Sequence, residues 1–572
     1  MTIQRNGIKK RRGIFFTPPS VSTPLATWAI RSPVEAVLEP SFGDCGFLAA
    51  LQKRFAAIGS EQPWQQIYGC DIASTAFDRY LGPLVTQGAD ASHFVKADFL
   101  ALEPSRFSVP GFKVVLGNPP YVSRHNMFKV QRVQAARVGY DDAFRVSGMA
   151  SLWAYFVFHS LRFLLPEGRM AWLLPGSVLH ADYAKALIHE LSRRFQRVAV
   201  ISLRERLFLV DGTSETTEIL LCDGFGAGET GTVGVATAQD VPEFARLIQH
   251  WNDESWRAEP LNGRALLALA PSECLSAFKR VADAREVTRL GDLGRLAIGI
   301  VTGNNRLFIV NEETARENSL PKQALKPILA KSSVAPGLQL RTLDFDAARR
   351  AGLRCLLVDA VVGRRRATVK KYFDAVPAAL REKNVTFAKR KDWRIPDDEQ
   401  IPDAFFPCMH YTGPRLLLNR CKANSTNTIH RLYFKPGVTA LQAKLAAISM
   451  LSTFSQISAE IQGRSYGSGV LKHELHEAAS IALLFPSHLE PDLVSSAFTR
   501  IDKLLRRGSL AEATAASDAF LAEALPEVLP RFVLNDLRIA LQRIRSRRQQ
   551  VKTTNEIVAH PTETSIAATI PS

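Results

Sequence analysis

Short apolar runs alternate with longer segments of helical spacing from about residue 34 to residue 224. "VEAVLEPSFGDCGFLAALQKRF" reads as strand, turn and helix, "QIYGCDIA" as a second strand ending in an acid, and "SHFVKADFLAL" as a third short element ending in an acid. "KVVLGNPPY" predicts a fourth strand, stopped by two prolines that lack backbone donors and fix their own φ. A very apolar helix over 151–165 then meets "PEG", and "RMAWLLP" predicts a fifth strand. "RVAVISLRERLF" and "TEILLCDGF" predict the last strands, arranged as a hairpin. Strands alternating with helices predict an α/β fold with a mostly parallel sheet, whose ligands bind at the carboxyl edge.

The pattern changes at "GFGAGETGT", residues 224–232, where clustered glycines predict a loop or linker. Downstream, strands, turns and basic clusters mix without regular alternation up to about residue 485, and a helical stretch follows over about 488–545. The expected organisation is a catalytic domain over 1–230, a helical connector over 231–284, a mixed α+β domain with C-terminal helices over 285–545, and a disordered tail over 546–572.

Composition narrows the function. A chain of 572 residues with 46% hydrophobic residues has material for more than one core, and a formal charge of +17 points to a polyanionic partner, nucleic acid first. The seven cysteines are scattered without a C-x-x-C pair, which argues against a disulfide framework or zinc site and for a reducing compartment. "MTIQRNGIKKRRG" has charge but no apolar core, and the most apolar stretch is too short for a bilayer, so a cytoplasmic protein without membrane contact is expected.

The chemistry gathers at the strand ends. Glu39 in "LEPSFGDCGF" precedes a glycine turn into a helix, Asp71 ends the second strand, and Asp98 in "ADFL" follows the third. Each has a structural alternative: a common glycine turn, a helix cap before "IASTAF", and a turn beside a core phenylalanine. Three acids at three successive strand ends, just ahead of "NPPY", weigh against all three being structural.

The order "FFTPPS", "LEPSFGDCGFL", "YGCDI", "ADFL", "GNPPY" resembles the adenine-specific (N6) DNA methyltransferases of bacterial restriction-modification systems, in particular their gamma class. The resemblance covers about residues 11–224 and, less specifically, "IGIVTGNNRLFIV" and "GRSYGSGVLKHELHE". It implies a Rossmann-like class I methyltransferase domain followed by a target-recognition domain, with S-adenosyl-L-methionine as cofactor. Thr17 would meet the carboxylate of its methionine part, Glu39 and the backbone around Gly43 its amino acid end, Asp71 its ribose, and Asp98 with Phe99 its adenine. In one departure from the family pattern, Cys45 stands where a G-x-G run usually has glycine.

The resemblance also gives the "NPPY" turn a task. The Asn118 side-chain oxygen and the Pro119 carbonyl would each take a hydrogen of a target adenine's amino group, Pro120 would stiffen the turn, and Tyr121 would stack on the flipped base. Phe208 lies where the family has a second base-contacting aromatic. No metal is expected; His473 and His476 are three apart on a predicted helix without a further ligand signature.

Basic clusters supply the expected DNA contacts: Arg364, Arg365 and Arg366; Lys389, Arg390, Lys391 and Arg394; and Arg464 with Tyr466 in a glycine-rich loop. Such clusters are more often solvated faces, so only their accumulation counts. The expected partners are double-stranded DNA and a cognate restriction endonuclease acting on the same site, with the enzyme a monomer on DNA. The rival functions are methylation of RNA or of a protein glutamine, and a non-catalytic DNA-binding subunit.

Overall fold

The computed structural model describes residues 17–139, 144–179, 181–203, 205, 207, 217–253, 258–260, 272–363, 367–465 and 469–549. The chain divides into two compact units, one holding the residues up to Leu269 and the other running from Ala270 to Gln549 apart from 465–468.

In the first unit, helix α1 (Pro19–Ala29) leads into β1 (Val37–Glu39), α2 (Gly46–Ala57), β2 (Ile67–Asp71), β3 (Phe94–Lys96) and β4 (Phe112–Gly117). There follow α3 (Lys129–Arg137), α4 (Leu152–His159), β5 (Leu164–Pro175), α5 (Asp182–Ser192), β6 (Phe195–Leu203), β7 (Thr217–Phe225), β8 (Thr232–Ala238), α6 (Val241–Gln249) and β9 (Ala258–Pro260). The strands form one sheet in the order β3-β2-β1-β4-β5-β7-β6-β8-β9. From β3 to β5 every neighbour is parallel, and β7 lies antiparallel between β5 and β6. Chain order reverses beside β1, so the carboxyl ends of β1 and β4 flank the crevice where α/β sheets bind ligands.

Both faces of the sheet are covered, which explains the continuous apolar runs. Val114 and Leu116 of β4 pack into one core with Ala171 and Leu173 of β5, while Val115 packs into the other with Met170 and Trp172. The period-two alternation of a strand thus serves two cores at once. Every residue of α4 is buried. The predicted long helix over 151–165 stops at His159, because β5 starts at Leu164 and absorbs "PEG"; its pairing with β4 shifts register between Phe112 and Val114.

The expected connector over 231–284 is not one. Gly224, Gly226, Gly228 and Gly231 all have positive φ and build a turn that sends β8 back alongside β6, so this stretch extends the first unit's sheet. Only the helix Ser272–Ala282 lies in the second unit.

The second unit is mixed. One five-stranded sheet runs in the order Gly294–Ala297, Ile429–Phe434, Ala404–Pro407, Leu417–Asn419, Gln339–Leu340, and a four-stranded sheet contains Leu325–Leu329 and Leu356–Val358. The helices Pro491–Arg506, Leu510–Ala524 and Arg531–Gln549 follow, the last running beyond the expected boundary at 545. Residues 550–572 lie outside the described residues. No helix among the described residues is long and apolar enough to cross a membrane.

Each unit buries a histidine in neutral form. The His159 ring sits against Phe99 and Phe163, with Nε2 at 3.0 Å from the Leu102 carbonyl, and burial lowers its pKa from 6.5 to about 4. His473, with Nε2 at 2.8 Å from the Ala459 carbonyl and Nδ1 at 3.2 Å from His410, is likewise lowered by burial to about 4. A depressed folded pKa means that the unfolded chain takes up the proton first. Stability should therefore be full above about pH 6.5 and fall as pH drops toward about 4, by up to ~3 kcal/mol per histidine. Calorimetry between about pH 7 and about pH 5 should show the unit of His473 melting earlier in acid, whereas in the first unit the raised acids Glu39, Asp71 and Asp98 work against His159; unchanged melting of the second unit would contradict its buried neutral histidine.

Candidate functional site

Four segments meet at the carboxyl edge of β1, β2 and β4. The Asn118 Nδ2 donates to Thr17 Oγ1 at 3.3 Å, and Ser41 Oγ donates to the Asn118 carbonyl at 3.2 Å. The segment before α1, the turn after β1 and the turn after β4 are thereby tied together. Asp71 accepts from the Gly43 amide at 3.0 Å and the Ala73 amide at 2.7 Å, so the end of β2 holds the same turn after β1.

That turn resolves the departure from the glycine pattern. Cys45 itself adopts the left-handed conformation, with φ 66° and ψ 20°, as the residue preceding α2. Gly46 serves a different need: a Cβ there would lie 2.9 Å from the Thr17 carbonyl oxygen. The cysteine tolerates the backbone twist, and the glycine permits the close approach of Thr17. Gly46→Ala should therefore displace Thr17 and cost about 1–3 kcal/mol of stability, read as a lower melting temperature; wild-type melting would contradict this contact.

The turn after β4 is rigid. The Val122 amide donates to the Pro120 carbonyl at 3.0 Å, and the Leu152 amide of α4 donates to the Val122 carbonyl at 2.9 Å. Pro119 is buried, Asn118, Pro120 and Tyr121 are half-buried, and Tyr121 packs against one of the two cores.

Acid chemistry dominates the crevice. Glu39 is 2% exposed, and its Oε2 has no hydrogen-bond partner among the described residues. Burial, followed by the nearby charges of Asp44 and Asp71, pushes its pKa well above the usual carboxylate value. Burial also raises Asp71 and Asp98. Asp98 Oδ1 accepts from the Leu100 amide at 3.1 Å. Phe99, expected beside an adenine, is instead 1% exposed and enclosed by Phe156, His159 and Phe163. This aromatic cluster closes the ring off from a ligand.

Two residues of this crevice escaped sequence reasoning. Ser41 joins the two turns, and Ile72, next to Asp71, leaves 65% of its surface exposed. The signal for Ile72 was present in "GCDI": an apolar residue directly after a strand-end acid.

Several of the residues expected to contact DNA already have partners within the protein. The Arg390 guanidinium donates to the carbonyls of Val301, Thr302 and Trp393, and burial lowers its pKa. Arg394 makes a two-point bond to Asp392 at 2.9 and 2.8 Å, and Arg464 pairs with Glu477 at 2.5 Å. Sequence could not reveal these carbonyl and carboxylate partners. Lys389 and Lys391 are exposed. Phe208, Arg364, Arg365, Arg366 and Tyr466 lie outside the described residues.

Sheet order and the joined strand-end turns define a class I methyltransferase domain. Residues 3–233 match the family model "N-6 DNA Methylase", and residues 265–522 match "Type II methyltransferase M.Eco57I, C-terminal domain". The chain is 20% identical over 474 residues to the Type II methyltransferase M.AccI of Acinetobacter calcoaceticus, covering 82% of this chain and 84% of that one. It is 24% identical over 486 residues to the Type II methyltransferase M.XamI of Xanthomonas campestris pv. amaranthicola, with the same coverage of 82% and 84%. Among solved structures it is similar to the type IIG restriction endonuclease BpuSI, with TM-score 0.39, 15% identity and coverage of 91% of this chain and 68% of that one. These matches, to an N-6 DNA methylase domain and an M.Eco57I-type C-terminal domain, support an adenine-specific N6 DNA methyltransferase of the restriction-modification kind.

Proposed function

We propose that the crevice at the ends of β1, β2 and β4 holds S-adenosyl-L-methionine and a flipped-out adenine of double-stranded DNA, and that the "NPPY" turn activates the adenine's amino group. The observation that carries this reading is the direct tie between the two turns, Ser41 to the Asn118 carbonyl and Asn118 to Thr17.

The cofactor fits the residues present. Glu39 Oε2 is a buried acceptor without a partner among the described residues, crowded by two further carboxylates, and a ligand ammonium would relieve it. Glu39 accepts from the ammonium and Thr17 meets the carboxylate. Gly43 positions backbone near the amino acid end, while Asp71 uses its remaining lone pairs for ribose hydroxyls. Ile72 offers an apolar face to the adenine ring, and Asp98 accepts from its amino group. When bound, S-adenosyl-L-methionine supplies an electrophilic methyl group on a sulfonium centre.

The target amine is a poor nucleophile because its lone pair is delocalised into the purine ring. With Nδ2 of Asn118 held toward Thr17, the amide oxygen accepts one amine hydrogen, and the Pro119 carbonyl accepts the other. Two fixed acceptors draw the nitrogen toward tetrahedral geometry and localise its lone pair. Pro119 and Pro120 keep the turn stiff and remove competing amide donors. Tyr121 stacks on the extruded base, offsetting part of the unstacking cost. The second unit selects the target, with Lys389 and Lys391 among its phosphate contacts.

The test is transfer from labelled S-adenosyl-L-methionine to unmodified duplex DNA, RNA and total protein. Label on duplex DNA alone is expected. Label confined to RNA or protein overturns the substrate class.

A further inference from the structure

The chain that leaves Tyr121 carries an exposed apolar and cationic face. Phe128 is 68% exposed, Val130 68%, Val133 46% and Met149 65%, all within one stretch following the catalytic turn. Met127, Ala135 and Val138 anchor this stretch in the core, and α3 turns Val130, Val133 and Arg137 to one side by their spacing of three and four. Phe128 precedes α3, and its amide donates to Gln131 Oε1 at 3.0 Å. Arg124 Nε donates to the Gly148 carbonyl at 2.6 Å, which holds the loop bearing Met149 against the same stretch. From Val122 to Gly139 the sequence has Arg124, Lys129, Arg132 and Arg137 and no acid. Lys129 and Arg137 make no ion pair among the described residues.

An apolar face beside uncompensated cations suits nucleic acid better than a protein core. Phosphates take the cations, and an aromatic side chain takes the gap between bases. The face continues directly from the turn that receives the extruded adenine, and extrusion leaves a vacancy in the duplex that an apolar side chain can fill. We infer that Phe128 is a wedge that enters the DNA stack where the target adenine has left, with Lys129 and Arg137 on the adjoining phosphates. This rests on the adenine-flipping reading above and adds to it a specific positioning residue.

The test uses the full chain and two duplexes carrying its mapped site, one with the target adenine opposite thymine and one with it opposite an abasic position. Phe128→Ala should fold normally, since the side chain is exposed. It should slow single-turnover methylation of the paired duplex about tenfold, yet methylate the abasic duplex at close to the wild-type rate, because that adenine needs little help to leave. Phe128→Trp should retain the wild-type rate on both. The double variant Lys129→Gln with Arg137→Gln should flatten the salt dependence of DNA binding by roughly 2 units of logarithmic slope. A wild-type rate for Phe128→Ala on the paired duplex, an equal loss on both duplexes, or an unchanged salt slope overturns the wedge alone. Failure of the wild type itself to methylate either duplex overturns the adenine-flipping reading and the wedge with it.

Discussion

Asn118→Ala should fold, bind S-adenosyl-L-methionine within about tenfold of the wild type, and lose roughly 100-fold to 1,000-fold in the rate of methyl transfer. The asymmetry follows from where the side chain acts. Its nitrogen donates to Thr17 at 3.3 Å, a contact of ordinary strength whose loss weakens cofactor binding modestly. Its oxygen gains its importance only as the target nitrogen becomes tetrahedral and its hydrogens more acidic, so the loss falls on the transition state. The measurement is single-turnover transfer at saturating cofactor together with cofactor titration. A loss confined to cofactor affinity would mean that Asn118 is a structural link between turns and that the turn does not activate the amine.

Glu39→Gln should move stability and binding in opposite directions. The wild-type carboxyl is buried against Asp44 and Asp71, which holds its pKa well above the ordinary carboxylate value. A folded pKa raised above the unfolded one gives stability that is complete below the unfolded value and is lost as pH rises through the folded value. The cofactor-free wild type therefore loses stability from this group on going from acid to neutral pH. Glutamine keeps the volume and an acceptor but carries no charge, so the variant should lack that slope and melt roughly 2–4 °C higher at neutral pH. Without the negative charge, the ammonium of the cofactor meets only a neutral acceptor, and affinity should fall about tenfold to 100-fold. Calorimetry and cofactor titration on one preparation separate the two effects; a variant that melts lower and binds normally would contradict the assignment of Glu39.

Much of the sheet was legible because apolar strands bounded by turn residues announce themselves. Val114, Val115 and Leu116 read as one run and serve two cores, and the acids at the ends of β1 and β2 stand where the order of residues placed them. The hairpin of β6 and β7 was also visible in advance. What failed depended on partners distant in sequence. Glycines at 224–231 look alike in a linker and in the turn that returns β8 to the sheet; only the pairing with β6 distinguishes them. Phe99 could face a ligand or a core until Phe156 of α4 and Phe163 just beyond it, more than fifty residues onward, came to lie on it. Arg390 and Arg394 read as DNA contacts in a basic cluster, while the carbonyls of Val301 and Thr302 and the carboxylate of Asp392 engage them within the protein. Cys45 in a left-handed conformation was the least legible, since its φ is imposed by the turn that Asp71 clamps through Gly43.

The most direct measurement is the identity and position of the modified base. Unmethylated plasmid DNA treated with the protein and S-adenosyl-L-methionine, then read by sequencing that detects base modification, should carry N6-methyladenine within one short recurring sequence and nowhere else. Methyl groups on cytosine, or DNA that remains unmodified by a folded protein that binds the cofactor, would contradict the activation of an adenine amine at Asn118 and Pro119.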